Sequence, residues 1–277
     1  MKGDPRPIGI FDSGLGGLTV LRAVRERMLN EALIYFGDTA RVPYGTKSAE
    51  TVTRFSREIV EFLLGLDVKA VVAACNSASA LAVRVLKAEY KLPIMGVIEP
   101  GARLAVAQSP SGRIGVIGTR ATIASGAYER ALAGLKPGST VVAQACPLFV
   151  SLVEEGWIDR PATRLIAEEY LAPLRGRVDT LILGCTHYPL LKPLIAGLMG
   201  PDVILIDSAE SCAVELGGLL DEHNLRAPDP VAGGTGAARE RFYVSDAPEL
   251  FARLSTRFLG RDVRDVRLVP EVAELRG

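Results

Sequence analysis

An apolar run that stops at a cysteine occurs twice in this chain. Val71-Val72-Ala73-Ala74-Cys75-Asn76-Ser77 has its twin in Leu181-Ile182-Leu183-Gly184-Cys185-Thr186-His187. The echo extends upstream and downstream. Residues 7–12 (PIGIFD) resemble Arg113–Gly118 (RIGVIG), and residues 93–97 resemble residues 202–206. Ile8 and Ile114 lie 106 positions apart, and Cys75 and Cys185 lie 110 apart. Three echoes in the same order indicate an internal duplication, so the chain must fold as two similar units.

The kind of unit follows from the pattern between the echoes. Short runs rich in branched residues, at 8–11, 32–36, 69–74 and 94–98, alternate with stretches of helical periodicity at 18–28, 49–64 and 78–90. Near-continuous apolar runs of this length are strands buried on both faces, and strand–helix alternation builds a mostly parallel sheet. The second unit repeats this: strands at Arg113–Gly118, Thr140–Ala145, Thr180–Gly184 and 202–206, helices at 121–132 and 162–174. After residue 206 come a helix at 211–220, a Pro/Gly-rich loop at 227–236, a strand at 241–244, a helix at Pro248–Leu259 and a strand at Val266–Leu268. This tail has no counterpart before residue 99 and is expected to return to the first sheet. The expected fold is α/β: two open, mostly parallel α/β domains related by a pseudo-two-fold, with the active site in the cleft between them. The first domain is residues 1–98 plus 208–277 and the second is residues 99–207.

Charge and cysteine usage exclude several classes. The 277 residues carry 32 basic and 32 acidic side chains, so no global field attracts nucleic acid or an anionic membrane. No apolar run approaches the roughly 20 residues that a bilayer needs. Residues 1–7 run straight into a strand without a signal-like apolar region, so a cytoplasmic location is expected. None of the four cysteines forms a CxxC pair and there are only two histidines, His187 and His223, so no metal site is expected. No pattern suggests a pyridoxal-phosphate lysine or a dinucleotide fingerprint, so no cofactor is expected. The expected partner is a small-molecule substrate, with a homodimer as one assembly open to the chain.

In open parallel sheets, ligands bind beyond the carboxyl ends of the strands. Asp12-Ser13 ends the first strand and opens Gly14-Leu15-Gly16-Gly17, which reads either as a capped strand–helix turn or as a cradle for an anion. Pro43-Tyr44-Gly45 is a turn whose tyrosine could line a pocket, and Asp38 before it is a cap or an orienter of charge. Cys75 precedes Asn76 and Ser77, which can present donors to a carboxylate. A thiol at a helix start is expected to have a lowered pKa. Cys185 stands likewise before Thr186 and His187, and His187 could assist its proton transfer. Glu154 sits in an acidic pair that ends an apolar run: a solvated helix end, or a carboxylate turned into the cleft. Cys146 and Cys212 lack polar neighbours of this kind and read as packing residues.

Two thiols on opposite sides of one carbon suit proton removal from one face and delivery to the other. Inverting a stereocentre in this way needs two acid/base groups, which a duplicated fold supplies. An amino-acid α-proton is weakly acidic, so fixed donors must stabilise the carbanion and water must be excluded.

The motifs IGIFDSGLGG, PYG, ACNSAS and GCTHYP, in this order, resemble the glutamate racemase family of the aspartate/glutamate racemase superfamily over about residues 7–220. The resemblance implies pyridoxal-independent racemisation of L- and D-glutamate, supplying D-glutamate for peptidoglycan. It implies that Cys75 and Cys185 are the two proton donor/acceptors, and that Asp12, Glu154 and His187 assist them. It places Asp12, Ser13, Tyr44, Gly45, Asn76, Ser77, Thr186 and His187 at substrate-binding positions. Ser77 stands where the family commonly has threonine, and the hydroxyl is kept. Racemisation of aspartate or another acidic amino acid, or a non-catalytic role such as the gyrase inhibition reported for some relatives, remain alternatives from sequence.

Overall fold

The computed structural model describes residues 3–228 and 240–274. The strands are β1 (Ile8–Asp12), β2 (Leu33–Gly37), β3 (Ala70–Ala73), β4 (Ile94–Gly96), β5 (Arg113–Gly118), β6 (Thr140–Ala145), β7 (Thr180–Gly184), β8 (Ile204–Asp207), β9 (Glu240–Val244) and β10 (Val266–Leu268). They form two sheets, ordered β10-β9-β2-β1-β3-β4 and β6-β5-β7-β8. All the pairings are parallel.

The duplication is visible in this order. β2-β1-β3-β4 and β6-β5-β7-β8 are the same arrangement, and the central strands pair at equivalent registers: Ile8 opposite Leu33 and Ala70, Ile114 opposite Val141 and Thr180. Gly9 and Gly115 repeat as well. A Cβ at Gly9 would meet Leu63 and Val68, and one at Gly115 would meet Leu181, Leu174 and Val178, so at both positions the missing side chain makes room for a leucine packed on the sheet. The tail returns as expected, because β9 pairs with β2 and carries β10 outside it.

Period-two alternation divides β1 between two cores. Ile8 and Ile10 pack with Leu18, Leu21 and Val24 in a cluster that includes Leu216 of the helix Ser208–Glu222 and runs into the second sheet at Leu181 and Leu183. Phe11 turns to the other face, against Ile59 and Val60. The interior at the amino ends of the strands holds a buried ion pair. Lys69 Nζ lies 2.6 Å from Glu31 and donates to the Asp4 carbonyl at 2.8 Å, while Glu31 accepts from the Ala227 N–H at 2.8 Å. Both side chains are essentially inaccessible, 0% and 3% exposed. Removing one partner leaves an uncompensated buried charge, so Lys69→Met is expected to lower unfolding free energy by about 3–5 kcal/mol, read by urea titration.

Several helical boundaries differ from the sequence reading. The strand expected over 94–98 ends at Gly96, because Ile98 opens a helix, Ile98–Gln108, that sequence did not show. Pro100 sits in its first turn, where no intrahelical N–H is required, so the proline does not interrupt the helix. The helix expected over 78–90 is two, Asn76–Leu81 and Val83–Glu89. The one expected over 121–132 breaks at Gly126, whose φ of +62° is left-handed, into Arg120–Ala124 and Ala127–Leu135. Most of the loop expected over 227–236 lies outside the described residues. Among the described residues no helix is long and apolar enough to cross a membrane.

Candidate active site

The carboxyl ends of β1, β3, β5 and β7 converge on one cavity. Of the eleven positions that the family resemblance implied, ten line it: Ser13, Tyr44, Gly45, Cys75, Asn76, Ser77, Glu154, Cys185, Thr186 and His187. Asp12 stands behind this wall. Its carboxylate accepts from the Gly14 N–H at 2.8 Å and, at 3.4 Å, from the Thr186 hydroxyl of the other half. Burial raises the Asp12 pKa, and the opposing pull of the His187 charge comes second.

Cys75 follows β3 and caps the helix Asn76–Leu81. Its sulfur lies 3.7 Å from the Ser13 hydroxyl. The lowered pKa expected for a thiol at a helix start does not occur. Burial, with the Asp12 charge second, pushes the Cys75 thiol up to about 12. The helix has only six residues, so its dipole is weaker than the desolvation it would have to offset.

Cys185 follows β7 but meets a different partner. Its sulfur is 3.9 Å from His187 Nδ1, and His187 Nε2 is 2.8 Å from Glu154 Oε1. Burial opposes charge on His187, but the bonded Cys185 and Glu154 outweigh it and hold the imidazole up at about 10. Glu154, the least distinctive of the sequence candidates, is thus carried to the site by the end of the helix Leu148–Glu154. Arg257 from the returning tail donates to the Val153 carbonyl at 2.9 Å and to that of Glu154, and Phe258 sets its ring edge-on against His187 at 5.3 Å.

Tyr44 and Gly45 form the lip of the cavity. The Tyr44 hydroxyl is committed to buried Asp38, which also accepts from Arg41 at 2.7 Å and Ser245 at 2.8 Å. Tyr44 therefore offers the cavity its ring and backbone rather than a free hydroxyl. Gly45 packs so closely on Thr119 that a Cβ would fall 2.8 Å from the threonine Cβ. Ser77 reaches Thr119 at 3.0 Å and Thr122 at 3.3 Å, joining the halves through hydroxyls. Sequence reading missed Thr119, yet the signal was present: it stands 106 positions after Ser13, the offset that relates Ile8 to Ile114. Cys146 and Cys212 are buried in the apolar core, as packing residues should be. Among the described residues no group of three or more His, Cys, Asp or Glu could hold a metal ion.

Gly16 shows how tightly the site is built. A Cβ there would lie 2.2 Å from Thr186 Oγ1 and 2.5 Å from His187 Nδ1. Gly16→Ala is expected to displace both side chains. It should cost about 100-fold in kcat/KM by steady-state kinetics, with little change in thermal unfolding.

The model of the Asp/Glu/Hydantoin racemase family matches residues 18–216. The chain is 50% identical over 264 residues to the glutamate racemase of Syntrophus aciditrophicus, covering 95% of this chain and 96% of that one. Its fold is similar to the glutamate racemase of Francisella tularensis in complex with D-glutamate, with a TM-score of 0.88, 38% identity and coverage of 96% and 98%. It is also similar to that of Thermus thermophilus in complex with beta-chloro-D-alanine, with a TM-score of 0.86, 45% identity and coverage of 97% and 98%. By sequence, fold and the residues gathered at its strand ends, this chain belongs to the Asp/Glu/Hydantoin racemase family.

Proposed function

We propose that this chain interconverts L- and D-glutamate by two-base proton transfer at Cα, using its own side chains without a cofactor. The observation that carries this reading is the pair of thiols, Cys75 and Cys185, at equivalent strand ends of a duplicated fold and lining one cavity. The names of its near full-length relatives select glutamate. Each half contributes one thiol, so the natural division is residues 1–98 with 208–277 against residues 99–207.

One sulfur, as thiolate, takes the α-proton, and the electron pair of the broken C–H bond stays on Cα, delocalised into the carboxylate. The opposite thiol then gives its proton to the other face. The net change is inversion, with the proton passed from one thiol to the other. Cys75, whose thiol is pushed up to about 12, keeps its proton at neutral pH and is the acid of the resting cleft. Cys185 faces the His187–Glu154 pair, whose cation stabilises negative charge when it develops on that sulfur. Ser13, Asn76, Ser77 and Thr186, with backbone donors, hold the substrate, and Asp12 braces Thr186 from behind. The product would supply D-glutamate for peptidoglycan in the cytoplasm.

Incubation with L-glutamate in D2O tests the reading. Solvent deuterium at Cα together with D-glutamate is the expected result. Unchanged glutamate, or turnover confined to aspartate, would overturn it.

A further inference from the structure

Among the described residues, Asn76 is the one pocket residue with a buried polar atom that lacks a hydrogen-bond partner: it is 2% exposed, and its amide oxygen is unpaired. The other end of the amide is engaged: Nδ2 donates to the Tyr128 hydroxyl at 2.9 Å. Tyr128 lies 3.2 Å from Ser208 Oγ, and Ser208 lies 3.0 Å from the Leu183 carbonyl. Tyr128 and Ser208 are themselves buried.

The direction of this chain is fixed from its far end. The Leu183 carbonyl can only accept, so Ser208 spends its single proton there. Towards Tyr128, Ser208 must therefore accept, and Tyr128 must donate. With its own proton spent, the tyrosine oxygen can only accept from Asn76, and the amide must turn an N–H towards it. A carbonyl two residues before Cys185 thus sets the polarity of the side chain next to Cys75. The sequence reading offered Asn76 as a donor to a carboxylate, whereas the network leaves its oxygen as the unpaired group.

We infer that Tyr128 and Ser208 are positioning residues that hold the Asn76 amide oxygen as the acceptor for the substrate's α-ammonium. This rests on the amino-acid substrate proposed above. A buried acceptor left unpaired is costly, and an ammonium, which only donates, is the complementary group. Loss of the tyrosine hydroxyl frees the amide to rotate. Loss of the Ser208 hydroxyl goes further, since Tyr128 can then donate to the amide oxygen and turn an N–H towards the ammonium.

The test compares glutamate with glutarate, which keeps both carboxylates and lacks the ammonium. In Tyr128→Phe and Ser208→Ala the KM for both glutamate enantiomers should rise about 10-fold, with kcat changed less. The inhibition constant of glutarate should stay within about twofold, because Asn76 has no ammonium to meet. Parallel weakening of glutamate and glutarate would mean a carboxylate contact or a disturbed cavity, and no weakening would mean the amide needs no orienting. Either result overturns the inference. Wild-type protein that leaves glutamate unchanged in D2O would instead overturn the functional reading, and that result is scored before any variant is made.

Discussion

Cys75→Ser and Cys185→Ser are each expected to lower racemisation by about 1,000-fold or more, since each turnover needs both an acid and a base. Serine keeps the shape and the hydrogen-bonding capacity of the thiol but is far less acidic, so it is a poor base that can still hold substrate. The two variants should part company on an amino acid with a leaving group at Cβ. Removal of the α-proton with loss of that group needs only the base on one face. Each variant should retain elimination from one enantiomer of the analogue and lose it from the other. From the family resemblance, Cys75 is expected to act on the D-enantiomer and Cys185 on the L-enantiomer. Chiral chromatography for racemisation and product assay for elimination give both readouts. A variant that remains a full racemase, or two variants that process both analogues equally, would exclude the two-thiol mechanism.

The parts of this site that sequence displayed are those carried by local pattern. Branched runs gave the strands, and the echo of Cys75 in Cys185 placed two thiols at equivalent ends before any contact was known. The parts it hid are set by contacts between distant segments. Tyr128, Ser208 and Arg257 have unremarkable neighbours in sequence. Each matters because packing of the two halves, or the returning tail, carries it to Asn76 or to Glu154. The expected acidity of Cys75 failed for a related reason. Capping of a helix is legible in sequence, but burial beside Asp12 is a property of the assembled cleft, and burial is the larger effect. The helix Ile98–Gln108 stayed hidden for a local reason, because a proline in a first helical turn masks the helical pattern until the start of the helix is known.

The second large effect is expected at His187, where the two halves of the cleft stop being equivalent. Cys185 has a cationic imidazole within 3.9 Å, whereas Cys75 has the Ser13 hydroxyl at 3.7 Å. His187→Asn removes that cation and should lower kcat/KM by about 100-fold or more. The loss must be equal in the two directions. Enantiomers have the same free energy, so the ratio of kcat/KM values equals an equilibrium constant of one in every variant. The asymmetry therefore shows in elimination, where the L-analogue, taken by Cys185, should suffer and the D-analogue should be spared. Equal loss for both analogues would place His187 in general substrate binding rather than beside one thiol. The same residue also links pH to stability. Its pKa rises from about 6.5 in the unfolded chain to about 10 in the fold, so the native state holds a proton the unfolded state has released. That contribution is complete below about pH 6.5, declines as pH rises, and is gone above about pH 10. Urea titrations between pH 6.5 and 10 should show wild-type stability falling more steeply than that of His187→Asn, and parallel curves would mean that His187 is neutral in the native cleft.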